Sequence, residues 1–183
     1  MTNRIRLGIL VLLIGAAILA ADRLTKLWVL NNLALYEDRA LIPALYPYLR
    51  VFHTNNTGVA FGLFRGGGSL FAVVNVAAIL AIVYYAFRQH HVSLLTLISL
   101  GLVLGGAAGN LVDRVLYGHV IDFIDVRYSD SVYWPTFNIA DSAVVVGVLL
   151  LLLTVYLEER AAGREAEEDP ATVENQPLPD HQG

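Results

Sequence analysis

The chain has no cysteine, a single lysine at position 26, and only 15% charged residues among its 183. Without cysteine there can be no disulfide, no thiolate metal ligand and no thiol nucleophile. With one lysine, a serine–lysine dyad would have only Lys26 to draw on, and no Gly-x-Ser-x-Gly string supplies a serine elbow. His53, His90, His91, His119 and His181 never fall in the His-Glu-x-x-His spacing of a helical zinc site. The net charge is −4 and the basic residues form no patch, so there is no footprint for nucleic acid. Carboxylates are what remain for hydrolytic chemistry.

Against these absences stands an excess of apolar residues, 56%, where soluble domains have about 45–50%. Four runs contain no Asp, Glu, Lys or Arg: Leu7 to Ala21, Gly66 to Phe87, Gln89 to Val112 and Ser142 to Leu157. A helix needs about 20 residues to cross the hydrocarbon. The shorter runs must therefore borrow their polar flanks, which predicts spans at about 7–27, 68–87, 92–112 and 139–158. The first run also has the layout of a signal peptide, with Arg4 and Arg6 before it and Ala20 and Ala21 at its end. Apolar Leu27 to Leu30 after the polar stretch Asp22 to Lys26 favours instead a helix that carries on, and hence an uncleaved anchor. The expected fold is an all-α polytopic membrane protein of four transmembrane helices with a small extracytoplasmic loop domain containing β-structure. Its domain occupies 1–160, and an acidic, disordered cytoplasmic tail follows over 161–183.

Arg4, Arg6, Arg88, Arg160 and Arg164 lie in the short segments on one side, which places both termini in the cytoplasm. The polar residues collect in two outer loops. The first holds Tyr48 to Thr54, whose aromatic and β-branched content suits a strand, followed by the turn formers Asn55, Asn56 and Gly58. Gly66 to Gly68 then form a flexible joint. The second, from about Asn110 to Asp141, carries Asp113, Arg114, Asp122, Asp125 and Asn138, with His119 as a loop hydrogen-bonder near Asp122. Gly101, Gly105 and Gly109 stand four apart along the third span, a seam for close helix packing.

Two of these carboxyls sit in contrasting settings. Asp122 lies in the apolar string Val120-Ile121-Asp122-Phe123-Ile124, which favours its neutral form. Asp141 opens the fourth span, where a helix N-terminus favours the ionised form. Taken singly, each reads equally well as a turn residue or a helix-terminal acid. As a pair on neighbouring helix ends, they have the contrast that acid and base work requires.

These residues resemble, in order, the motifs of the bacterial lipoprotein signal peptidases, the signal peptidase II family. Asp22-x-x-Thr25-Lys26 is similar to the first motif, Asn56-Thr57-Gly58-Val59-Ala60-Phe61-Gly62 to the second, and Gly109-Asn110-Leu111-Val112-Asp113-Arg114 to the third. Val120 to Phe123 and Phe137 to Asp141 are similar to the two that each supply a catalytic aspartate. The resemblance implies an aspartic endopeptidase of the bacterial cytoplasmic membrane, working at its outer face. It would cut diacylated prolipoproteins just before the lipidated cysteine, without metal or cofactor, and be inhibited by globomycin-type peptides. Asp122 and Asp141 would be catalytic. Asn56, Gly58, Asn110, Asp113, Arg114 and Asn138 would hold the substrate or the aspartates, with Asp22 and Lys26 supporting the site as a pair one helical turn apart. Membrane lipid would surround a monomer.

Two other classes fit less well. A transporter should place ionisable residues along a path near the bilayer midplane, whereas here the charges gather at span ends. A non-catalytic scaffold gives no reason for two carboxyls at adjacent helix ends. The Gly-x-Gly-Asp string of other intramembrane aspartyl proteases is absent.

Overall fold

A computed structural model of the chain describes residues 3–46, 48–58, 68–129 and 131–168. Four helices are long and apolar enough to cross a membrane: α1 (Asn3–Asn32), α2 (Gly68–Arg88), α3 (Leu94–Tyr117) and α4 (Ile139–Glu168). Three strands, β1 (Asp38–Arg39), β2 (Leu49–Asn56) and β3 (Val120–Val126), form an antiparallel sheet in the order β1-β2-β3. The protein is a multi-pass membrane protein.

The central helix is α3, with 61% of its apolar stretch buried against 6% for α2. Its small residues make that position available. A side chain at Gly105 would run into Ile18 and the Gly15 carbonyl of α1, and one at Gly106 into the Ala140 carbonyl of α4. On one flank Val11, Leu97, Leu100, Leu104 and Ala86 form an apolar core. Elsewhere the helices turn valine and leucine outward, Val73 and Leu80 of α2 among them. Water would penalise such a surface, while hydrocarbon solvates it.

Three boundaries differ from the sequence-based expectation. Helix α1 carries on beyond position 27 to Asn32, with Asp22 and Lys26 buried within it, and α3 continues beyond position 112 to Tyr117, so Asp113 and Arg114, expected in the second outer loop, are helical residues. At 24 residues, α3 measures about 36 Å, longer than ~30 Å of hydrocarbon; its last two turns can therefore carry polar groups at the boundary. Gly118, at φ 75°, ends it in the left-handed region, its N–H donating to the Arg114 carbonyl. Helix α4 runs through Glu168, so positions 161–168 of the expected disordered tail are helical. The Ala, Arg and Glu residues there are strong helix formers, and acidity alone does not unwind them. Residues 169–183, Val59 to Gly62 of the second motif, and Gly66 and Gly67 of the glycine joint lie outside the described residues.

The expected strand in the first outer loop is present as β2. Asp122, expected in a loop, belongs to β3 and lies opposite Thr54. The register shifts by one residue between Val51 and Thr54, a bulge in β2 that re-aims this end of the sheet. The chain before α4 then pairs with β3: Phe123 and Ile124 both donate to the Phe137 carbonyl at 3.0 and 2.8 Å, and Phe137 donates back to Ile124 at 3.1 Å. This clamp brings the start of α4 beside Asp122.

Candidate active site

The first turn of α4 is closed by a reciprocal cap. The Asp141 N–H donates to Asn138 Oδ1 at 2.8 Å, and the Asn138 N–H donates to Asp141 Oδ2 at 3.3 Å. This is a capping box with Asp141 at the third helical position, so the helix start itself orients the Asp141 carboxylate. Asn138 also reaches across to β3, donating its Nδ2 to Asp122 Oδ1 at 2.7 Å. One buried asparagine thus joins both aspartates.

The other oxygens are held in the same way. Asn56 Nδ2 at the end of β2 donates to Asp122 Oδ2 at 2.9 Å, and Asn110 Nδ2 on α3 donates to Asp141 Oδ1 at 2.7 Å. All four carboxyl oxygens therefore accept from neutral amides. A cation in direct contact would lock both groups in the ionised form, whereas neutral donors orient them and leave a proton free to reside there. Asp122 is 2% exposed. Burial, and then the neighbouring charge of Asp141, push its pKa up to about 7. The arrangement can hold one proton across two carboxyls near neutral pH, one acting as acid and the other as base.

Cations are present one layer behind. Lys26 Nζ lies 2.8 Å from Asp22 Oδ2 and 2.7 Å from Asp113 Oδ2, with all three side chains 0% exposed. Each of these carboxylates holds the backbone just before a dyad member. Asp22 Oδ1 accepts from the Ala140 N–H at 3.0 Å, and Asp113 Oδ2 accepts from the Ile121 N–H at 3.1 Å. Lys26 therefore ties the α4 start to β3 through two acids. A methyl group at Gly109 would stand 2.5 Å from Asp22 Oδ2, so glycine is what lets α3 admit this ion pair.

A cleft of about 570 Å³ opens in front of the dyad, lined by Asn56, Gly58, Arg114, Thr136, Phe137 and Asp141 among others. The Gly58 N–H donates to Asn56 Oδ1 at 3.1 Å, which fixes that amide with its nitrogen toward Asp122. Arg114 donates to the Asn110 carbonyl at 3.1 Å and lies over the Phe71 ring. Among the described residues, no group of three or more His, Cys, Asp or Glu is placed to hold a metal ion.

All ten residues singled out in the sequence thus fall into this cleft or the layer behind it. The structure adds Arg23, which pairs with Asp113 at 2.6 Å and reaches Tyr117 at 3.2 Å. Nothing local marks that residue, since its partner is far along the chain. Asp125 also gains a part: it is buried and receives Arg50 and Arg127 at 2.6 and 2.7 Å, pinning β2 to β3 away from the dyad. His119 rests beside the Tyr117 ring, 6.1 Å between centroids, rather than joining Asp122.

A family model described as Signal peptidase (SPase) II matches residues 14–157. A lipoprotein signal peptidase of Syntrophomonas wolfei subsp. wolfei is 43% identical over 79% of this chain and 91% of its own. One from Clostridium acetobutylicum is 37% identical over 81% and 94%, and one from Bacillus velezensis 43% identical over 77% and 90%. A solved bacterial membrane enzyme superimposes with a TM-score of 0.71 at 29% identity, covering 81% of this chain and 88% of that one.

Proposed function

The chain belongs to the signal peptidase II family of aspartic peptidases, membrane enzymes that remove signal peptides from prolipoproteins, and from that premise we propose that Asp122 and Asp141 are its catalytic pair. The observation that carries this reading is the set of four carboxyl oxygens, each held by a neutral amide, beside an open cleft.

In the proposed reaction, ionised Asp141 takes a proton from water as the water oxygen bonds to the scissile carbonyl carbon. Protonated Asp122 gives its proton to the carbonyl oxygen, forming a gem-diol. Collapse breaks the C–N bond. The leaving nitrogen takes the proton from Asp141, and a diol hydroxyl returns one to Asp122. Net charge on the pair stays at −1 throughout, which a buried site tolerates better than −2. Asn56, Asn110 and Asn138 hold the carboxyls. Gly58 and Arg114 face the substrate, and Asp22, Lys26, Asp113 and Arg23 brace the two elements from behind. The chemistry requires no metal or cofactor.

The substrate is a diacylated prolipoprotein cut just before its lipidated cysteine, and globomycin-type peptides occupy the same cleft. The enzyme works as a monomer, surrounded by membrane lipid in the bacterial inner membrane, with both termini cytoplasmic and the cleft at the outer face. The peptidase domain spans 1–160, and positions 161–183 form a cytoplasmic extension. A substrate anchored by lipid cannot leave the bilayer, so a site at the ends of α3 and α4 meets it where it lies. The test is cleavage of a diacylated precursor by Asp122→Asn and Asp141→Asn at matched membrane levels. Each should abolish turnover, and the double variant should be scarcely worse than either single one. Substantial turnover by either single variant would sink the assignment.

A further inference from the structure

Asp125 stands three residues along β3 from Asp122 and is 0% exposed, yet no hydrogen bond joins it to either dyad member among the described residues. Its partners lie elsewhere. Arg50 of β2 and Arg127 both place Nε on the same carboxylate oxygen, Oδ2, at 2.6 and 2.7 Å, and the Thr136 hydroxyl donates to Oδ1 at 3.4 Å. Arg127 in turn holds its guanidinium 5.3 Å from the centre of the Tyr133 ring, and the two residues pair as an isolated bridge where the chain turns back toward α4. Tyr133 and Thr136 both line the cleft. One buried carboxylate therefore reaches the cleft wall twice, through an arginine and directly.

We propose that Asp125 is a positioning residue for the substrate: it fixes the wall of the cleft made by Tyr133 and Thr136, and so governs how tightly the peptide is held rather than how fast it is cut. The proposal rests on the reading of the cleft as the peptide site. Two guanidinium groups on one oxygen repel each other and stay together only because the carboxylate lies between them. Without that charge one of them must leave. Arg50 is retained by Asp38 at 3.1 Å and by the Phe52 ring at 5.5 Å, and its side chain is 14% exposed; Arg127 has no second acid among the described residues and is 25% exposed. Arg127 is therefore the one that turns to water, and its hold on Tyr133 goes with it. A neutral amide at position 125 also has one acceptor oxygen rather than two, so either the Thr136 hydroxyl or the arginines lose their acceptor. The dyad is held by Asn56, Asn110 and Asn138, outside this cluster, which leaves kcat unaffected.

The test is steady-state cleavage of a diacylated precursor peptide by the full-length enzyme in nanodiscs. Asp125→Asn and Arg127→Met should each raise KM roughly tenfold, the scale of one charge-assisted hydrogen bond, while kcat stays within about twofold of the parent. Because the two residues act as one unit, the double variant should be scarcely worse than either single one. Asp38→Asn takes a charge from the same cluster without touching the cleft wall, and should leave KM unchanged. A merely structural Asp125 would cost folded protein and leave KM where it was; that result would overturn the proposal, as would an equal rise in KM for Asp38→Asn or a fully additive double variant. Where Asp125→Asn does not fold, Arg127→Met, at the more exposed side of the cluster, carries the test alone. Arg114→Ala, which alters the same cleft, separates the two readings. A KM raised there but not in Arg127→Met overturns the positioning role only, while a KM unmoved in both also brings down the cleft as the peptide site.

Discussion

Replacing Lys26 with methionine isolates what the charged layer behind the dyad contributes. The side chain is 0% exposed and is the cation shared by Asp22 and Asp113, at 2.8 and 2.7 Å. Methionine preserves much of the volume and removes only the charge, so Asp22 loses its sole ion-pair partner among the described residues, while Asp113 keeps Arg23. Stranding a buried charge by deleting its partner costs about 3–5 kcal/mol, which is a large share of the ~5–15 kcal/mol that holds a typical protein together. Activity should fall as well, since Asp22 and Asp113 hold the backbone N–H groups of Ala140 and Ile121, next to the two dyad members. A displacement of about 1 Å at a reacting group can cost ~100-fold in rate. The assay is thermal unfolding of purified protein together with kcat on a diacylated precursor. A companion variant separates charge from packing: Lys26→Met with Asp22→Asn should be more stable than Lys26→Met alone, because the stranded charge is gone. A single variant as stable and active as the parent, or a double variant no better than the single one, would refute the reasoning.

Activity should decline as pH rises through about 7, where Asp122 loses its proton; a pH–kcat profile flat to pH 9 would contradict this. The same group links stability to pH. Its folded value lies above the ordinary 3.8, so its neutral form favours the fold fully below that value and the advantage fades as pH rises through about 7, by roughly 4 kcal/mol in all. Asp122→Asn should flatten that slope in thermal unfolding measured from pH 4 to 8. Asn138→Ala removes both the α4 cap, about 1 kcal/mol, and a donor to Asp122, so kcat should fall by ~100-fold with KM little changed; near-normal kcat would show that the bridge is dispensable. Asp125→Asn should lower thermal stability by about 1.5–3 kcal/mol through its lost charged hydrogen bonds while folded protein keeps its kcat, and a loss of kcat without a loss of stability would be the contrary result. Reporter fusions after His91 and Leu157 should read as cytoplasmic and those near Arg39 and Ser129 as external; a cytoplasmic signal at Arg39 would reverse the proposed orientation.

The four spans and the strand β2 are legible along the chain because each depends on local constraints, whereas most of the ten candidate site residues stand out only through their resemblance to the family's motifs. A bilayer demands an unbroken apolar run, a strand beside a turn has a recognisable composition, and a carboxylate among apolar neighbours stands out wherever it folds. The strand β3 was less visible. Val120 to Ile124 is apolar on both sides of Asp122 rather than alternating, as befits a strand buried on both faces but also a loop pressed to a membrane. The end of α3 is hidden for a related reason: Asp113 looks like a loop residue until its charge is seen to be met by Lys26 and Arg23 inside the bundle.

What the sequence by itself determined is the solvent this protein must fold in and the residue types its chemistry has to use, since both follow from composition and short motifs. Only the tertiary structure decided which partners those residues take. Lys26 meets Asp113, Asn138 meets Asp122, and Phe137 pairs with Ile124 across separations that no local pattern encodes. The physical reason is that burial sets the cost of an unpaired polar group, and burial is a property of the packed bundle. A carboxylate braced by lysine and one held by neutral amides read alike in the chain, and are told apart only where the fold puts them.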